Sequence, residues 1–139
     1  MYITPVLPNN NIDGALWSIY TPCNPSGESK LEEFFLELGS NMNAARTGMV
    51  AIFQQVTEKG IVSLPDAICH QLDKGIWELI KGRIRIVCFL DDGKVVICSH
   101  GFIKTTQKTP SAEIKKAKRC RTKYLEAKQD GILKIVKED

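Results

Sequence analysis

Residues 100–110, HGFIKTTQKTP, put a histidine, two lysines, a glutamine and three threonines behind an apolar run that reads as a strand. Cations and hydroxyls of this kind hold phosphates, and histidine titrates in the range that proton transfer near neutral pH requires. Arg83 and Arg85 alternate in RIRIVCFL, so a strand there puts both guanidinium groups on one face. In KVVICSHGFIK the same period of two predicts Val96, Cys98, His100, Phe102 and Lys104 on one face, with Val95, Ile97, Ser99 and Ile103 on the other. Pairing of the two strands would then make a shallow basic patch that ends in a hydroxylated loop.

The charge of the whole chain agrees with such a patch. Residues 1–80 hold 4 Lys and Arg against 9 Asp and Glu, whereas residues 81–128 hold 13 against 4. The second half is therefore a cationic block inside a chain of net charge only +3, and its field attracts a polyanion or an acidic protein equally well. With 139 residues, 43% of them hydrophobic and 25% charged, the chain is expected to fold as one domain with its own core. No apolar run approaches a membrane span, and the start MYITPVLPNNNIDG lacks the pattern of a signal peptide, so a cytoplasmic protein without membrane contact is expected. Cys23, Cys69, Cys88, Cys98 and Cys120 show neither CxxC spacing nor a local histidine partner, which predicts packed thiols, no metal site and no cofactor.

The elements that would position these groups follow from periodicity. Residues 1–13 read as a flexible leader, 14–128 as the domain and 129–139 as a tail. ALWSIYT alternates like a short strand. Leu31, Phe34, Phe35 and Leu38 then recur at helical spacing, and a second helix carries Met42, Ala45, Met49, Ile52, Phe53 and Val56, ended by Lys59 and Gly60. Residues 61–75 read as irregular. GIWELIK, RIRIVCFL and KVVICSHGFIK predict an antiparallel meander, and Thr109 with Pro110 opens a last helix, with Ile114, Ala117, Tyr124 and Leu125 as its apolar stripe. The expected fold class is α+β: two N-terminal helices packed on one face of a small antiparallel sheet, with a basic C-terminal helix and the other sheet face free to bind.

GIWELIKGRIRIVCFLDDGKVVICSHGFIKTTQKTPSAEIKKAKR, residues 75–119, resembles the phage-derived branch of the RelE/HigB toxins, in which an LWELR strand, an arginine-bearing strand and an HGFIKKTQKTP segment precede a basic helix. The resemblance extends in outline over residues 14–128. It implies a toxin of a type II toxin-antitoxin system that cuts messenger RNA in the ribosomal decoding site without metal, the 2′-hydroxyl attacking the adjacent phosphate. It also implies a helix-turn-helix antitoxin as partner, alongside messenger and ribosomal RNA.

On the matching positions, Arg85 and Lys104 are expected to stabilise phosphate charge, and His100 is either an acid or base or a packed residue. Arg83, Lys81, Thr106, Gln107 and Lys108 are expected to hold RNA, as are Lys115, Lys116 and Arg119 of the last helix. Lys118, Arg121 and Lys123 could share that grip. The chain departs from the family pattern at Ile80, where an arginine is expected, and at Thr105, where a second lysine is expected. These departures support an alternative, in which the same fold binds an antitoxin, a repressor or RNA without cutting it. Trp77, Phe34 and Phe35 read as core, and His70 has no assigned role.

Overall fold

The computed structural model describes residues 1–7 and 16–137. Its centre is the run of alternating residues in the second half of the chain. β4 (Ile76–Lys81), β5 (Ile84–Asp91) and β6 (Val95–Ile103) pair antiparallel in sequence order. Gly82, at φ +57°, makes the tight turn between the first two.

The sheet around them is larger than expected. β1 (Tyr2–Pro5), β2 (Ser18–Cys23), β3 (Cys69–Asp73) and β7 (Lys134–Ile135) complete seven strands in the order β3-β4-β5-β6-β2-β1-β7. β2 runs parallel to β6 and β7 parallel to β1, so the sheet is mixed. The expectation of a small antiparallel sheet is thereby overturned. Parallel pairing joins β2 to a strand more than 70 residues later, and no local pattern announces such a crossover. β1 and β7, with four and two residues, are too short to show alternation. They also lie in the stretches read as leader and tail; residues 8–13 of that leader fall outside the described residues.

The helices differ from expectation as well. α1 (Lys30–Leu36) has only seven residues, capped by Ser29, whose hydroxyl accepts from the Glu32 amide at 3.0 Å. A 3-10 turn at Ser40–Met42 leads into the one long helix of this region, α2 (Asn43–Lys59). Met49, Ile52, Phe53 and Val56 of α2 and Leu31 of α1 pack on Leu79, Ile84, Ile86, Cys88, Val96 and Cys98 of the sheet. The opposite face is not free. α3 (Ser111–Gln129) lays Ala117 and Tyr124 on Ile76, Val87, Phe89 and Ile97 there. The sheet is hydrophobic on both faces at its centre, so it must be covered on both.

One irregularity redirects the side chains that matter most. Val87 lies opposite His100 while the next residue, Cys88, lies opposite Cys98, so Ser99 is an extra residue in β6. This bulge breaks the period of two. Val96 and Cys98 face α2, whereas His100 and Phe102 face the α3 side together with Ile97. Beyond the bulge, Gly101 turns toward α1, and a Cβ there would stand 2.7 Å from the Phe34 ring and 2.9 Å from Ile86. Gly101→Ala is therefore expected to destabilise the fold by about 1–3 kcal/mol through overpacking, read from urea unfolding midpoints; an unchanged midpoint would mean that α1 shifts freely.

Candidate functional site

Three sequence-aligned rows of the α3-facing sheet surface define the site. His70, Glu78, Val87 and His100 lie opposite one another in succession across β3 to β6. The next row holds Ile80, Arg85 and Phe102. Past it, Arg83 precedes β5 on the Arg85 side, and its carbonyl accepts from the Lys104 amide at 2.8 Å. α3 begins at Ser111 and runs away from this end, so Arg83 is exposed and Lys104, Arg85 and Phe102 are partly exposed.

Glu78 is the organising group. It is wholly buried, and no sequence signal beyond its setting between apolar residues marks it. A buried carboxylate must be paired or hydrogen-bonded, and three neighbours meet that need. The Thr109 hydroxyl donates between its two oxygens, at 2.8 and 3.0 Å. Arg85 Nε stands 3.1 Å from Oε1, too far out of line for a hydrogen bond, so the attraction is Coulombic. His70 Nε2 stands 3.1 Å from Oε2, with 41% of the histidine side chain exposed.

Arg85 is thus partly spent. Its Nη1 donates to the carbonyls of Gly82 and Ile84 at 2.7 and 3.0 Å, and only 12% of its side chain is exposed. It braces the β4–β5 turn and balances Glu78 rather than standing open to a ligand. Thr109, expected to cap α3, bonds Glu78 instead, and Pro110 takes the cap position without a side-chain bond. The Thr106 hydroxyl donates to the Lys108 carbonyl at 2.6 Å and folds the loop on itself. Gln107 and Lys108 remain exposed in the loop that leads to Thr109.

Other expected site residues separate. Lys81 lies on the α2 side, its stem packed over Gly48, because it alternates with Ile80 on β4. His100 is 4% exposed beneath α3, with Nδ1 2.9 Å from the Ser99 hydroxyl and Nε2 3.5 Å from Glu113, without a hydrogen bond. Burial, assisted by Lys116, lowers its pKa to about 4. The ring is thus packed beneath α3 in this structure. Lys115, Lys116 and Arg119 are exposed along α3. Lys118 is held by Asp73, and Arg121 donates to the Lys74 carbonyl at 3.2 Å, so both tie α3 to the β3–β4 hairpin.

His70 carries no expected role because residues 61–75 read as irregular, whereas Cys69–Asp73 form β3. The signal was present: Asp73-Lys74-Gly75 before IWEL is a hairpin turn, and pairing across it sets His70 opposite Glu78. Among the described residues no group of three His, Cys, Asp or Glu side chains converges as a metal site, and no helix is long and apolar enough to cross a membrane.

The buried His100 gives the fold a pH dependence of known sign. Above pH 6.5 the ring is neutral in folded and unfolded chains alike. As pH falls from about 6.5 to about 4, the unfolded chain gains a proton there that the folded one does not, so stability is lost across that window, by up to about 3 kcal/mol. Asp73, lowered chiefly by its bond to Lys118, and Asp91, lowered by Lys128 and Tyr124 against the opposing effect of burial, lose their contributions only below that window. Urea unfolding of wild type and His100→Leu between pH 7 and 4 should show the slope in the first and a flatter profile in the second; equal slopes would assign the loss to another group.

The family model described as phage derived protein Gp49-like (DUF891) matches residues 37–122, and no curated protein matches the chain. The matched stretch takes in α2, β3 to β6 and the first part of α3, and so contains every residue of the Glu78 cluster and its cationic rim. It covers well over half of the 139 residues, and the chain belongs to this phage-derived, toxin-like Gp49 family.

Proposed function

We propose that the protein is the toxin of a type II toxin-antitoxin pair and an endoribonuclease that cuts messenger RNA on the ribosome. The carrying observation is the cationic end of the α3-side sheet face, where Arg83 and Lys104 pair one row beyond Arg85 and the exposed Lys108 precedes the Thr109 that bonds Glu78. Phosphates of a single strand are held by such cations, and the exposed Lys115, Lys116 and Arg119 extend the same field along α3. Cleavage is internal transfer: the 2′-hydroxyl attacks the adjacent phosphorus and the 5′ oxygen leaves, with Lys104 and Arg83 stabilising the added negative charge. Membership of a toxin-like family supports this reading, as does the RelE/HigB resemblance of residues 75–119. The partner is then a small helix-turn-helix antitoxin that neutralises the toxin in the cytoplasm.

A second reading rests on Arg85. Its engagement by Glu78 and two carbonyls, together with Ile80 and Thr105 in place of cations, reduces the charge available for catalysis. The protein would then bind RNA or a repressor without cutting. Mapping messenger ends in a purified translation system separates the two. The nuclease reading expects ribosome-dependent cuts that slow about a hundredfold in Lys104→Ala; RNA bound with no new ends would establish the binding module instead.

A further inference from the structure

Building on the RNA-cleaving reading above, we propose that His70 is the general base of the site and that Glu78 is the residue that positions it. His70 sits on the edge strand β3, opposite Glu78 in register, with Nε2 3.1 Å from the carboxylate. The carboxylate beside that nitrogen favours a ring proton on Nε2, the tautomer that leaves the lone pair on Nδ1. The ring keeps 41% of its side-chain surface open, unlike His100, which is sealed under α3.

The carboxylate that holds it is unusually constrained. Glu78 has no exposed surface, and Thr109 and Arg85 occupy its oxygens from the α3 loop and from β5. It cannot swing away from the ring without leaving the other two partners. The same loop carries the exposed Lys108 directly before Thr109, a cation that attracts phosphate to this end of the sheet.

In the proposed step, Nδ1 of His70 takes the proton of the ribose 2′-hydroxyl as the 2′ oxygen bonds to the adjacent phosphorus. The bond from phosphorus to the 5′ oxygen breaks, and that oxygen takes a proton from water. The imidazolium returns its proton to the hydroxide so formed. The products are a 2′,3′-cyclic phosphate and a 5′-hydroxyl, with no redox change and no other reactant.

The test is end mapping of ribosome-bound messenger with the full chain, comparing wild type, His70→Gln, and His70→Ala with and without added imidazole. Glutamine keeps a donor for Glu78 but cannot take the proton. Expected are cyclic-phosphate ends from wild type, cutting at least about a hundredfold slower in His70→Gln at an unchanged thermal midpoint, and recovery of His70→Ala by imidazole. Wild-type rates in His70→Gln would overturn the role of His70 and leave the nuclease standing. Slow variants that imidazole does not restore would overturn it too, assigning His70 to structure. A folded wild-type protein that cuts nothing would overturn the base and the nuclease reading together.

Discussion

The fold around the site depends on one buried charge. Glu78 joins four separate segments: its own strand β4, His70 on β3, Arg85 on β5 and Thr109 in the loop before α3. Removing one partner of such a pair costs about 3–5 kcal/mol, because the remaining charge stays buried, yet apolar side chains of similar volume often pack as well or better. Stability alone therefore does not account for a glutamate at this position. What it supplies is placement: the edge strand, the β4–β5 turn and the entry to α3 all take their positions from the same two oxygens.

α3 is fastened in a related way along its whole length. Its inward apolar groups are few and small apart from Tyr124, so burial alone holds it weakly. Polar ties supplement it: Lys118 to Asp73, Arg121 to the Lys74 carbonyl, and Tyr124 and Lys128 to Asp91 at 2.6 and 2.8 Å. These ties consume part of the cationic excess of the second half. The charge left outward-facing is concentrated in Lys115, Lys116, Arg119 and Lys123 and in the sheet-end group of Arg83, Lys104 and Lys108. Most of the exposed cations of the second half thus lie at the open end of the sheet and along α3, with Lys81 on the α2 side and Lys94 in the β5–β6 turn apart from them.

How much of this was legible follows from the range of each signal. Alternation over six to nine residues marks β4, β5 and β6, and helical spacing over 17 marks α2. The cationic rim was equally readable, since Arg83, Lys104 and Lys108 flank turns and a strand end. The faces were not. A single extra residue at Ser99 separates Val96 and Cys98 from His100 and Phe102, and a bulge has no signature in side-chain type there. β1 and β7 depend on partners distant in sequence, and α3 lies on a face that periodicity alone leaves undetermined. The role of Thr109 was hidden for a similar reason: a threonine before a proline reads as a cap, and only the position of β4 beneath it turns its hydroxyl to Glu78.

The departure at Ile80 now has a structural meaning. Ile80 lies directly opposite Arg85, on the same side of the sheet. An apolar side chain there leaves that row with one guanidinium, and Glu78 balances its charge at 3.1 Å. Net positive charge for a polyanion must then come from the row beyond, where Arg83 and Lys104 are joined through backbone, and from Lys108 on the loop. The site is consequently divided: a buried, charge-balanced interior that sets geometry, and an exposed cationic rim that supplies attraction. An interior of fixed geometry favours the group that meets solvent from it, and His70 is the titratable side chain on that boundary.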